Sequence, residues 1–299
     1  MIINKEHTDN SNHPDARYLA GLSQFWQAYK KNTLGIIGLG LIAAFSISSM
    51  SAPFVSPYKP FGIESKPLLA PSIEHPMGTD HLGRDVFSGL LHGGRISMTI
   101  GILAALGSTA IGVLVGSIAG YYGKITDKAL MRTTEFFHIL PSFLLALVLI
   151  AILEPSFLNV ILVIAVASWP YTARIVRAQF LSLREREFVL SAIAGGRKNH
   201  DIIFSEIMPN AIPPVIINSS FLVADAILIE TGLSFIGLGD QSLISWGYMI
   251  RNSVEYMREA WWMTLFPGLS VMLAAVAFNL VAFALNDILN PKMEKSQKA

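Results

Sequence analysis

The sequence predicts an all-α polytopic membrane protein with six transmembrane helices and both termini on the cytoplasmic side. Three observations predict it. Of the 299 residues, 52% are hydrophobic and 14% charged, against roughly 25% charged in an average soluble domain. Six apolar runs approach or exceed the ~20 helical residues that a bilayer core requires. With the N-terminus inside, the inner segments hold 16 Lys and Arg and the outer segments 6, the bias that fixes cytoplasmic loops.

The runs follow in order. Leu34 to Ala52 carries no charge, and neither does Ile96 to Tyr122. Ile139 to Leu153 is shorter and extends back over Met131 to His138, with Pro141 near its start, where proline is tolerated or kinks the helix. Pro155 to Ala173 is the fourth. Asn210 to Gly239 is interrupted only by Asp225 and Glu230, and Ala260 to Asn286 closes the set. In the second run, Gly112, Gly116 and Gly120 recur every fourth residue, a spacing that lets two helices approach closely.

The organisation outside the spans is uneven. Residues 1–33 form a polar cytoplasmic tail with no visible signal peptide. Within it, Leu19, Leu22, Phe25, Trp26 and Tyr29 fall at helical spacing, as in an amphipathic helix lying on the inner leaflet. Residues 34–52 are the first span, 53–95 a proline-rich extracytoplasmic loop, 96–290 a five-helix core and 291–299 a cytoplasmic tail. The absence of cysteine excludes disulfides and thiolate metal sites, and the net charge of +1 gives no reason to expect a nucleic-acid partner.

One polar stretch, SAIAGGRKNHDIIFSEIMPN (Ser191 to Asn210), separates the fourth and fifth spans on the cytoplasmic side. Good helix formers from Glu187 to Ala194 start one helix, and Gly195 and Gly196 break it. Asn199 and Asp201 are placed to cap a second short helix ending at Met208, which Pro209 separates from the fifth span. Two short helices around a glycine turn make a compact knob for a cytosolic partner.

These residues resemble the cytoplasmic loop of ABC-importer permeases. Ser191 and Ala192 match its small pair, Gly196 its glycine, and Met208-Pro209 its Leu-Pro, with departures at Leu190 and Glu206. Further motifs resemble the C-type subunit of the dipeptide/oligopeptide/nickel branch. They are Gly78-Thr79-Asp80, Gly83-Arg84-Asp85 and Gly94-Arg95-Ile96-Ser97 before the second span, then LSFIGLG (Leu233 to Gly239) followed by Ser245-Trp246-Gly247. The sixth span departs at Ala282-Phe283-Ala284, where that branch has Gly-Asp-Gly.

The resemblance implies a type I importer core in the cytoplasmic (inner) membrane of a prokaryote. It implies four kinds of partner: the lipid bilayer, a second similar permease subunit, two cytosolic ABC ATPases and an extracytoplasmic solute-binding protein. The expected cargo is a peptide or a related small solute, nickel or a metal chelate among the alternatives. This chain is expected to bind no cofactor, since it lacks the GxxxxGK[ST] phosphate loop; ATP and Mg belong to the partner ATPases. The ATPase-coupling residues would be Glu187, Ser191, Ala192, Gly195, Gly196, Asp201 and Pro209.

Four residues of the fifth span are candidates for the translocation pathway or for a subunit contact: Asn218, Ser219, Asp225 and Glu230. Ionisable groups inside a span face a cavity or a partner, whereas Asn and Ser also serve to join helices. The outer His75, Asp80, His81 and Asp85 are read as a turn-rich loop held by local hydrogen bonds and an Asp–Arg pair. A metal site is the alternative. Two rival functions come from other classes. An intramembrane hydrolase would use Glu135, His138 or the outer His/Asp group, but no H-E-x-x-H pattern supports it. A channel or secondary carrier would work without ATPases.

Overall fold

The computed structural model describes residues 25–289. Leu19, Leu22 and the tail after 289 lie outside the described residues. Residues 25–31 are helical, and Tyr29 is buried with its hydroxyl donating to the Gly35 carbonyl at 3.1 Å. Asn32 then caps α1 (Thr33–Met50) by accepting from the Gly35 N–H at 2.9 Å.

After a proline-rich outer segment come α2 (Val86–Tyr122), α3 (Lys124–Ile139), α4 (Ser142–Leu153), α5 (Phe157–Arg184), α6 (Glu187–Ala194), α7 (Asn199–Ile236), α8 (Trp246–Ser253) and α9 (Trp262–Leu289). Among the described residues, five helices are long and apolar enough to cross a membrane, and six if α3 and α4 count as one broken span.

Three boundaries differ from the sequence expectation. The second helix begins at Val86, not Ile96, because Asp85 caps it: its carboxylate accepts from the Ser88 N–H at 2.7 Å. The third span, if it extends back over Met131 to His138, is broken and not straight, since α3 and α4 meet at 88°. Pro141 sits at the N-cap of α4 with extended backbone, and the residue before a proline is driven out of the helical region. The two halves therefore part at Leu140-Pro141. Finally, Pro209 does not separate a short helix from the fifth span. The chain runs through a π-helical stretch, Ile202–Ile207, into Met208–Ile236. Pro209 lies in the first turn of that α-helical part, where a missing N–H costs little.

The glycine spacing of α2 does what close packing requires. A Cβ on Gly112 would lie 2.5 Å from the Thr172 Cβ. One on Gly116 would lie 2.5 Å from the Ala173 carbonyl, and one on Gly120 2.5 Å from the Phe180 Cβ. Only a helix face without side chains fits α5 there. Between α2, α4, α5 and α7 the interior is aliphatic, with Ile100, Ile150, Val163, Ile164 and Leu233 buried together. At the cytoplasmic end a second cluster joins Val176, Phe180, Val189, Ile202 and Ile207. Outward helix faces stay apolar and exposed, as lipid or another subunit requires: Ile47, Leu106 and Ile152 are examples.

Candidate functional site

Positions on α7 sort the four intramembrane candidates. At about 100° per residue, Asn218 and Asp225 are seven apart and share one face. Ser219 and Glu230 are eleven apart and share another. Asp225 and Glu230, five apart, differ by about 140° around the helix.

Asn218 and Asp225 line a cavity of about 810 Å³ between α5 and α7, together with His138, Ser142, Ser168 and Tyr171. Asn218 is itself buried, its amide donating to the Thr172 hydroxyl at 2.9 Å, which ties α7 to α5 at this level. Asp225 is exposed to the cavity. His138, in the cavity lining, accepts from the Arg174 guanidinium at 2.8 Å; Arg174 itself stands just outside the lining.

The other pair packs helices. Ser219 shares a hydrogen bond of 2.9 Å with Thr109 of α2. Glu230 is 0% exposed. It accepts from the Ser97 hydroxyl at 2.9 Å and from the Ser234 hydroxyl at 2.7 Å. Ser97 in turn accepts from the Trp246 N–H at 3.2 Å. The expectation that Glu230 meets the pathway or another subunit is therefore corrected: its own chain encloses it completely. A buried carboxyl group needs such partners, and these serines supply them.

The cytoplasmic turn is built by local backbone geometry. The Gly196 N–H donates to the Ile193 carbonyl at 3.0 Å and the Arg197 N–H to the Ala192 carbonyl at 3.2 Å. This is the paired bonding of a glycine-terminated helix. Gly196 has φ of +74°, and a Cβ there would meet nothing within 4 Å. The glycine is therefore required by the backbone angle and not by a crowded neighbour.

Glu187, Ser191, Gly195 and Pro209 are exposed around this turn, and Ala192 packs partly against the cytoplasmic cluster. Neither Asn199 nor Asp201 caps a helix, because Asn199 is the first helical residue and the N-cap is Lys198, with no side-chain bond. Asn199 accepts instead from the Tyr121 hydroxyl at 2.9 Å, and Asp201 lies 3.1 Å from His200. Arg197 pairs with Glu206 across the turn. Sequence reasoning missed the apolar side of the knob. Phe188, Leu190, Ile193 and Phe204 are all exposed, while Val189 is 0% exposed and anchors the segment. The signal was present in the apolar residues flanking Val189.

The outer signature forms a clasp over the start of α2. Thr79 is completely buried, accepting from the Leu69 N–H and donating to the Lys66 carbonyl, both at 2.8 Å. The indole of Trp262 donates to the Thr79 carbonyl at 3.1 Å. Gly78 and Gly83 have φ of +75° and +82°, and a Cβ on Gly83 would come within 2.0 Å of the Ser65 carbonyl oxygen.

The expected Asp–Arg ion pair is corrected. Asp80 accepts from the backbone N–H of Leu82 and Arg84, at 2.8 and 2.9 Å. The Arg84 guanidinium instead donates to Tyr248 and stacks over Phe61. Asp85 holds His75 Nδ1 at 2.9 Å through one oxygen and Ser88 through the other. The serine thus bonds the carboxylate and not the imidazole, so the trio lacks the order of a nucleophile and base. Arg95 is exposed and lines a second, outer cavity of about 530 Å³ with His92 and Thr99. Beside it Asp240 ties the loop after α7 to the start of α5. Burial pushes its carboxyl up, but hydrogen bonds from the Ser242 hydroxyl and the N–H groups of Ser242 and Phe157 hold it below the usual carboxylate range.

Glu135 pairs with Arg132 on an exposed face and His138 is held by Arg174, so these two do not converge on one reacting centre. Helices that span a bilayer, border an open cavity holding a few polar side chains and end in a cytoplasmic knob define a multi-pass membrane permease. The chain belongs to the family described as binding-protein-dependent transport system inner membrane component, matched over residues 112–295. Residues 22–71 match the N-terminal TM domain of oligopeptide transport permease C.

The dipeptide transport system permease protein DppC of Alkalihalophilus pseudofirmus is 40% identical over 291 residues, covering 95% of each chain. DppC of Bacillus subtilis is 34% identical, covering 99% of this chain and 93% of that one. The di/tripeptide permease DppC of Pseudomonas aeruginosa is 32% identical, covering 98% and 100%. The chain is thus an inner-membrane component of a peptide ABC importer, a transporter subunit and not an enzyme. These relatives are named for peptides, and the nickel or metal-chelate alternative finds no support among them.

Proposed function

We propose that this chain is the C-type half of a heterodimeric pathway that imports dipeptides and other short peptides by alternating access. A second permease subunit completes the conduit. Two cytosolic ATPases, which bind ATP and Mg, dock on residues 187–209. A solute-binding protein delivers the peptide from outside.

One observation carries the reading. The turn at Gly196 and the cavity residues Asn218 and Asp225 are joined by a single helix, α7, which runs from Asn199 to Ile236. Movement imposed on the exposed knob is carried along this one helix to a wall of the cavity. Coupling then requires that ATP and peptide each bind the inward- and outward-facing states with different affinity.

The test is uptake of a labelled dipeptide into proteoliposomes holding the full assembly. ATP-dependent accumulation that requires both the ATPases and the binding protein is expected. Uptake that continues without the ATPases would make the chain part of a channel or secondary carrier instead.

A further inference from the structure

Asp225 stands apart from the other acidic groups of the bundle. Glu230 is satisfied by serines and Asp127 by Arg177, at 2.6 Å through one pair of atoms. Asp225 has no hydrogen-bond or ion-pair partner among the described residues, and it is exposed to the 810 Å³ cavity. Eleven residues separate it from the outer end of α7 at Ile236, about 16 Å along the helix, against a hydrocarbon layer about 30 Å thick. An unpaired carboxylate at that depth costs several kcal/mol unless a cation or water-filled space meets it.

A cation stands next to the cavity wall, one hydrogen bond behind it. The Arg174 guanidinium spends one N–H on His138, a cavity-lining residue, and keeps further donors. The bond from Asn218 to Thr172 sets a common level for α5 and α7. From that level Arg174 is two residues toward the coupling knob and Asp225 seven residues away from it. At 1.5 Å per residue their backbones are about 13 Å apart along the bundle. An extended peptide spans about 3.3–3.6 Å per residue, so four residues fill that distance. Side chains reaching inward shorten the fit to two or three.

Building on the proposed peptide-import reading, we infer that this cavity is a binding site for short zwitterionic peptides. Asp225 receives the α-ammonium group, and Arg174, steadied by His138, receives the α-carboxylate. Nothing in the site grips side chains with comparable charge; the nearby lining is Ile217, Phe221, Leu222 and Tyr171. It selects for free ends and for length, and tolerates sequence. The carboxylate end points toward the coupling knob, so the peptide travels with its C-terminus leading.

The test uses the assembled transporter in nanodiscs with its ATPases and without binding protein, so that the binding protein's own selectivity does not enter. The probe is a fluorescent-labelled tripeptide, displaced by trialanine, N-acetyl-trialanine or trialanine amide. In the wild type each blocked end should weaken displacement at least tenfold. Asp225→Asn should remove the penalty for N-acetylation and keep the penalty for amidation; Arg174→Gln should do the reverse.

A blocked end without effect in the wild type would overturn the inference, as would variants that discriminate like the wild type. Loss of the heterodimer in Asp225→Asn, with unchanged selectivity in the remaining intact complex, would make Asp225 a subunit contact and also overturn it. Failure of wild-type ATP-dependent uptake would instead sink the importer reading, so the two failures are told apart.

Discussion

The hydroxyl of Ser97 on α2 donates to the carboxylate of Glu230 on α7 at 2.9 Å, inside the membrane and away from the cavity. Glu230 is therefore a packing residue. Glu230→Gln keeps the shape, but its amide nitrogen faces one of two serine donors, and that serine must turn. Glu230→Leu leaves both hydroxyls buried without their acceptor, at about 1–3 kcal/mol each. The leucine variant should melt clearly lower in detergent and the glutamine variant slightly lower. Uptake per assembled complex should match the wild type for glutamine. A glutamine variant that assembles and melts normally yet fails to transport would show that the charge acts in the pathway.

The contrast between Glu230 and Asp225 shows what the sequence holds and what it hides. Both lie in one apolar run, and hydropathy treats them alike. Their spacing of five already places them on different faces, but which face meets the cavity depends on the glycines of α2 and on α5, which only packing reveals. Apolar length was enough to find most spans. It left α3 and α4 open, where a single proline is compatible with both a helix start and an 88° bend. Proline as a helix breaker misled at Pro209, because a π-helical stretch before it preserves continuity that propensity alone does not anticipate. The knob was legible because glycine at a positive φ ends helices in a recognisable way.

Asp85 holds three things at once: the N-terminus of α2, His75 and Ser88. Asp85→Ala removes an N-cap worth about 0.5–2 kcal/mol and leaves His75 and Ser88 short of partners at about 1–3 kcal/mol each. The melting temperature should fall, and a protease added from outside should cut residues 56–85 faster. Chelation with EDTA should change neither, on the reading of the clasp as a loop held by hydrogen bonds. If EDTA loosens this loop in the wild type as the alanine does, a metal holds it.

The charge distribution predicts the topology. Reporter fusions after Lys198 and after Lys292, which lies outside the described residues, should report the cytoplasm, and a fusion after Lys66 should report the outside. An outside signal at Lys198 would invert the bundle and remove the knob from the reach of cytosolic ATPases.

Gly196 offers the sharpest test of that knob. Its φ of +74° with open space around it separates two causes that usually travel together. If crowding mattered, any side chain would fail; since only the backbone angle matters, residues should rank by how well they tolerate the left-handed region. That region costs an ordinary residue about 1–2 kcal/mol and asparagine less. Gly196→Asn should therefore keep most ATPase binding. Gly196→Val should shift the turn and carry the exposed Leu190, Ile193 and Phe204 out of register with their partner. Several contacts are then lost together, and each 1.4 kcal/mol weakens association about tenfold. Membrane insertion should survive in both, because no span is touched, and the buried Val189 should keep α6 on the bundle. Co-purification of the ATPase and ATP-driven dipeptide uptake, measured for the three proteins side by side, should rank glycine, asparagine, valine in descending order. Equal retention and uptake by the valine variant would show that this turn does not shape the coupling surface.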